Sequence, residues 1–243
     1  MKKALIIALT LSSLLLVSCK EDKPKPKVIY KEDKASKSEA KGSDTTQIKV
    51  ADLPVHMEGT KYLIHPVGGI RVYEDNVKSY GSSRTNNEVS YAISNYNRFE
   101  LTGYFENLIF QHIDSTALKP LTDKLIQIQT ATFLPTIAEK YKKELLIYTL
   151  VDSDTNKDGR VDANDIRSLY ISGISGQGFK KLSDDMQELL DWNLIDAKGR
   201  IYFRTIEDIN KNGAFDQNDR VHYRFADLLT DGWPVADYEP VGG

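Results

Sequence analysis

Residues 168–183 read SLYISGISGQGFKKLS. The segment opens on a run of Leu169, Tyr170 and Ile171, passes Gly173, Gly176 and Gly178, and returns through Phe179 to Leu182 and Ser183. Branched and aromatic residues bounded by glycine mark a strand followed by a tight reversal. The same order recurs at residues 107–122, NLIFQHIDSTALKPLT, which closes on Leu121 and Thr122 where the other copy closes on Leu182 and Ser183. A third copy starts at Val221, runs through Asp227 and fades toward Gly243. A longer apolar run precedes each one: Val89–Ile93, Leu145–Leu150 and Ile201–Arg204. The spacing, roughly 53 to 60 residues, is that of a repeated supersecondary unit.

The rest of the chain after residue 60 supports a β-rich reading. Short runs such as KYLIH at 61–65, GIRVY at 69–73 and RIYFR at 200–204 carry strand composition and end at Gly, Asn or Asp. Two stretches read as short helices: Thr136–Lys143 after Pro135, and Asp184–Asp191 with Ser183 as N-cap.

The repeat resembles the WD40-like blades of TolB-type β-propellers, in which a Leu-Tyr-Ile strand is followed by a turn and Leu-Thr. The resemblance spans most of residues 88–240. It implies a mainly β fold of antiparallel blade-like repeats, a partial or small propeller. About three units are fewer than the usual four to eight blades. Closure then falls to strands between residues 60 and 75, or the molecule is open. A plain meander or sandwich is the competing architecture.

Two of the connections carry the chemistry. Residues 154–165 read DTNKDGRVDAND, and residues 208–219 read DINKNGAFDQND. Each is a twelve-residue loop with oxygen side chains at positions 1, 3, 5, 9 and 12, glycine at 6 and an apolar residue at 8. Alternate residues of a tightly curled loop point inward and set hard oxygens around one cation. The expected Ca²⁺ ligands are Asp154, Asn156, Asp158, Asp162 and Asp165, with Arg160 through its carbonyl. Their counterparts are Asp208, Asn210, Asn212, Asp216 and Asp219, with Ala214 through its carbonyl. Both loops end in Asp rather than Glu, so the resemblance is to dockerin-type bacterial loops and not to a calmodulin-type sensor. The first loop holds four Asp and the second three, so the second is expected to bind more weakly. A dockerin itself is disfavoured, because the loops start at 154 and 208 and strand sequence follows the first.

The N-terminus reads as an address. Lys2 and Lys3 precede an apolar stretch from Ala4 to Val17, and LVSC closes it at 16–19. The stretch is short of the ~20 residues that span a bilayer. LVSC resembles the bacterial lipobox, which implies removal of residues 1–18 and acylation of Cys19. Several acyl chains anchor firmly where one does not. Lys20, Glu21 and Asp22 resemble the export signal of Bacteroidota surface lipoproteins, which implies an outer-membrane, surface-exposed location. Residues 19–50 read as a disordered tether, rich in Lys, Glu, Asp, Ser and Pro, in which only Val28, Ile29 and Tyr30 are apolar. The β-rich domain is then 51–243.

Composition excludes several alternatives. At 40% hydrophobic the chain is not wholly disordered, and one cysteine makes neither an internal disulfide nor a zinc–thiolate cluster. A net charge of -3 disfavours a nucleic-acid partner. No residues are assigned to catalysis. His56, His65, His112 and His222 are scattered, and GISGQ at 173–177 lacks the final glycine of a nucleophile elbow and reads as a hairpin turn. The acidic pairs Asp184–Asp185 and Glu207–Asp208 suit a helix start and a calcium loop. Trp192, Trp233 and the tyrosines read as core or cross-strand pairs, with a glycan-binding face as the alternative. The expectation is a non-enzymatic, calcium-binding envelope lipoprotein whose partner is an envelope protein or glycan. The alternatives are an extracytoplasmic glycan or peptide hydrolase with structural calcium, and a structural part of an envelope complex.

Overall fold

The computed structural model of this chain describes residues 26–30, 47–71 and 92–241. The expected signal segment, Cys19, most of the tether and the runs at 72–73 and 89–91 lie outside the described residues. The described chain is mainly β and antiparallel, as expected. In chain order the first strands are β1 (Gln47–Ala51), β2 (Val55–His56), β3 (Tyr62–Arg71), β4 (Ser94–Asn97), β5 (Glu100–Phe105), β6 (Asn107–His112), β7 (Lys119–Pro120) and β8 (Gln127–Phe133). After helix α1 (Pro135–Tyr141) come β9 (Leu145–Val151), β10 (Arg167–Gly173), β11 (Lys180–Lys181), β12 (Gln187–Ile195), β13 (Arg200–Glu207), β14 (Arg220–Asp227) and β15 (Val235–Asp237).

Three sheets result. The first runs β1-β3-β6-β7 with β2 also on β3, the second β11-β10-β9-β8-β5-β4, and the third β12-β13-β14-β15. One of them curls to about half a barrel. Each contains a four-strand antiparallel meander; in the first, the long β3–β6 connection leaves to lend β4 and β5 to the second. The repeat read at 107, 168 and 221 is the third-to-fourth-strand hairpin of each meander. Ile109 faces Pro120, Tyr170 faces Lys181 and Phe225 faces Ala236, an interval of 11 residues each time. In the first two copies the returning leucine closes the pair in the same way, Leu121 N to Leu108 O at 2.9 Å and Leu182 N to Leu169 O at 2.8 Å.

The second sheet sits in the middle because of β9. Its sequence LLIYTLV is buried throughout, the pattern of a strand covered on both faces. Side chains alternate across a strand. Leu146, Tyr148 and Leu150 therefore enter one core with Phe105, Leu108 and Phe110. Leu145 and Ile147 enter the other with Leu189, Ile201 and Phe203. Each such Leu, Ile or Phe contributes about 1.5–3 kcal/mol by leaving water.

The structure departs from the sequence reading at several places. GIRVY does not start a separate strand; β3 is continuous to Arg71. Pro66 is tolerated because it lies where one edge partner gives way to the other, β2 pairing up to Ile64 and β1 from Val67. Residues 184–191 form no helix. Their second half is β12, and the Ser183 hydroxyl accepts from Leu169 N at 3.0 Å within the hairpin instead of capping. Good helix formers in QELL yield to the pairing along β13. The first helix is present, with Pro135 at its start and a left-handed Lys142 (φ 58°) at its end. The tether reading fails at two points: residues 47–50 belong to β1, and residues 26–30 dock on the fold.

Candidate metal centre

The two Asp/Asn loops occupy the same place in consecutive meanders. The first fills the β9–β10 connection, which closes on the Val151–Arg167 pair. The second fills the β13–β14 connection, which closes on Glu207–Arg220. Both are thus second-to-third-strand turns, and their ends are fixed by antiparallel ladders.

Inside, the loops share one set of backbone N–H bonds to side-chain oxygens. At position 1, Asp154 accepts from Asp158 N (3.1 Å) and Gly159 N (2.8 Å), and Asp208 accepts from Asn212 N (3.2 Å) and Gly213 N (2.7 Å). At position 3, Asn156 and Asn210 each take the same fifth-position N–H at 2.9 Å. At position 5, Asp158 and Asn212 accept from the N–H of Arg160 (2.9 Å) and Ala214 (2.8 Å). At position 9, Asp162 and Asp216 accept from Asn164 N and Asn218 N, both at 2.8 Å. At position 12, Asp165 and Asp219 accept from Asp162 N (3.0 Å) and Asp216 N (2.8 Å). The backbone repeats as well. Lys157 and Gly159 have φ of 58° and 86°, and Lys211 and Gly213 have 57° and 83°. Left-handed residues at positions 4 and 6 curl the chain, and glycine takes the sharper of the two without a Cβ penalty.

The loops differ at position 12. Asp165 is fully buried, and its second oxygen accepts from Thr155 N (2.7 Å), Asn156 N (3.0 Å) and the Thr155 hydroxyl (3.2 Å). Burial pushes its carboxyl above the usual range against the pull of those bonds. In the second loop position 2 is Ile209, which has no hydroxyl to give, and Asp219 Oδ1 is buried with no hydrogen-bond partner among the described residues. Asp216, more exposed, is held below its ordinary value chiefly by the Asn218 N–H.

Among the described residues no three His, Cys, Asp or Glu side chains gather as a metal group. The carboxylates turn instead onto their own loop's N–H groups. The remaining expected donors are the Asn amide oxygens and the carbonyls of Arg160 and Ala214. The histidines are dispersed, as expected: His56 contacts Thr60 O (2.8 Å), His65 contacts Gln111 (3.2 Å) and His222 contacts Glu207 (2.7 Å). GISGQ is a hairpin turn, with Gly176 N donating to Gly173 O at 2.9 Å.

Sequence reasoning missed a strap across both loops. Lys27 N donates to Gly213 O and Ile29 N to Thr155 O, each at 3.0 Å. The Thr155 hydroxyl returns a bond to Lys27 O at 2.8 Å. Val28 is 2% exposed. Gly213 leaves room for it, because a Cβ there would lie 2.5 Å from Val28 O. Partial burial and the Asp208 carboxylate push the Tyr30 hydroxyl up to about 12. The only available signal was the lone apolar triplet 28–30 in a polar stretch. No family model matches the chain, and no curated protein matches it.

Proposed function

We propose that this chain is a calcium-binding, membrane-anchored lipoprotein that acts as a non-enzymatic binding or scaffold module at the bacterial cell envelope. The observation that carries the calcium reading is the match, at positions 1, 3, 5, 9 and 12, of the backbone N–H bonds to side-chain oxygens in two loops 54 residues apart (154 to 208) in equivalent turns of consecutive meanders. Chance Asp-Asn-Gly turns would have no reason to share register, both left-handed positions and the position-12 carboxylate.

The residues fit a hard cation. Every side-chain donor offered is an oxygen, which suits calcium and not a soft metal. Asp219 Oδ1, buried without a partner among the described residues, is the kind of group that a cation would satisfy. Bound calcium would neutralise clustered carboxylates and lock two long turns. At millimolar calcium and site constants of ~10–100 μM, each site would add roughly 1.4–2.7 kcal/mol.

The rest of the reading follows from sequence and topology together. Cys19 is the lipid attachment point, and the outer membrane, with its face to the cell surface, is the location. The three meanders are blades of a small or partial propeller. The partner is an envelope protein or glycan. Equilibrium calcium titration tests the metal: two sites are expected, and Asp208→Ala should abolish the weaker one while sparing the tighter. A single-phase loss of both, or no calcium bound at millimolar concentration, removes this reading. Metabolic labelling with a clickable fatty acid should mark the protein and fail on Cys19→Ser.

A further inference from the structure

The third sheet has a second face that the core does not use. Ile201, Phe203 and Ala226 turn inward, so alternate residues of β13 and β14 turn outward. Arg204 lies between Asp191 on β12 and Tyr223 on β14. The ring of Tyr238, just beyond β15, stands edge-on to Tyr202 (centroids 5.2 Å, 88°) and to Tyr223 (5.9 Å, 71°). These three rings line an open groove of about 680 Å³. Its polar wall is a bidentate pair: Arg204 Nε donates to Asp191 Oδ1 at 2.8 Å, and a second guanidinium N–H to the other carboxylate oxygen. Such a fork holds both groups in fixed geometry and leaves further donors and lone pairs for a ligand.

We propose that this groove binds a neutral oligosaccharide of pyranose rings, naming the ligand of the binding module inferred above and resting on that reading. A pyranose shows C–H groups on its faces and hydroxyls around its rim. Aromatic rings meet the faces through dispersion and the release of water. The Asp191–Arg204 fork and Asn193 meet the rim. The charges of Asp191 and Arg204 cancel, and Lys198 alone adds one positive charge, so the groove has no field to hold a polyanion. The size lies within the range of small-ligand sites.

The test is fluorescence and calorimetric titration of the full-length protein with cellohexaose, mannohexaose, xylohexaose and chitohexaose, beside a proline-rich decapeptide, the other ligand that aromatic grooves accept. At least one sugar should bind with a Kd of ~10 μM to 1 mM. Tyr202→Ala and Arg204→Gln should weaken it about tenfold or more, as loss of central contacts does. Tyr202→Phe should keep most of the affinity, which separates a lost platform from a misfolded sheet. No binding to any of the four sugars, binding unchanged in both variants, or binding of the peptide in their place overturns the proposal. Calcium-dependent melting is recorded on the same samples. A calcium shift without sugar binding discards the groove's ligand and leaves the calcium scaffold standing; sugar binding without a calcium shift does the reverse.

Discussion

Lys27 Nζ donates to Glu188 Oε1 at 2.9 Å, across 161 positions of sequence. Glu188 is 5% exposed and also accepts from Arg167 N and Nε, both at 2.8 Å. A residue of the 26–30 segment thus reaches a buried carboxylate on β12. The contact adds to the hold of this strap on the two loops, because the neighbouring backbone of residues 27–29 bonds to Thr155 and Gly213.

The strap should therefore contribute to stability. Val28→Asp places a charge in a site that is 2% exposed and should cost about 2–4 kcal/mol. Lys27→Met leaves Glu188 with Arg167 and should cost only ~1 kcal/mol. Urea unfolding measures both. Hydrogen exchange should show faster exchange at the Lys27 and Ile29 amides in Val28→Asp. Equal stability of Val28→Asp and wild type would mean that the strap is idle.

Two glycines with matching backbone offer a sharper comparison. Gly159 and Gly213 have φ of 86° and 83°, so alanine is strained at both. Among the described residues a Cβ on Gly159 meets nothing within 4 Å, whereas one on Gly213 meets Val28 O at 2.5 Å and Pro26 Cβ at 2.9 Å. Gly159→Ala should cost about 1 kcal/mol from backbone strain alone. Gly213→Ala should cost about 1–2 kcal/mol more, and that excess should vanish in a chain already carrying Val28→Asp. Chemical denaturation of the double-mutant cycle reads the coupling.

The hairpin after β10 also presses on the first sheet. Gly176, at the turn after β10, has φ of 77°, and a Cβ there would lie 2.8 Å from the ring of Phe110 on β6. Gly176→Ala should lose about 2–3 kcal/mol, and shrinking the ring in Phe110→Leu should recover part of it. Thermal melting of the single and double variants tests this. Additive losses would mean that the turn and the first sheet do not press on each other.

Much of this was readable along the chain. LLIYTL and RIYFR became strands because each carries enough branched and aromatic side chains to fill a core unaided. The loops were readable because their information is local spacing. The failures share a cause. QELL at 187–190 has helical propensity, and only its partner β13 makes it a strand. The burial of Val28 depends on two loops 54 residues apart (154 to 208) coming together. Tyr202, Tyr223 and Tyr238 meet only through the register of three strands. None of these relations has a local signature.

The central claim is that both loops are calcium sites that hold the β fold together. Its most direct test is the melting temperature of the full-length protein in millimolar calcium and then in excess chelator, with Asp154→Ala and Asp208→Ala as controls. Loss of two sites worth roughly 1.4–2.7 kcal/mol each should lower the midpoint by about 5–15 °C for a domain of this size. Each control should show about half that drop. An unchanged midpoint on chelation, in wild type and in both variants, would mean that the loops are ordinary turns closed by their own N–H groups.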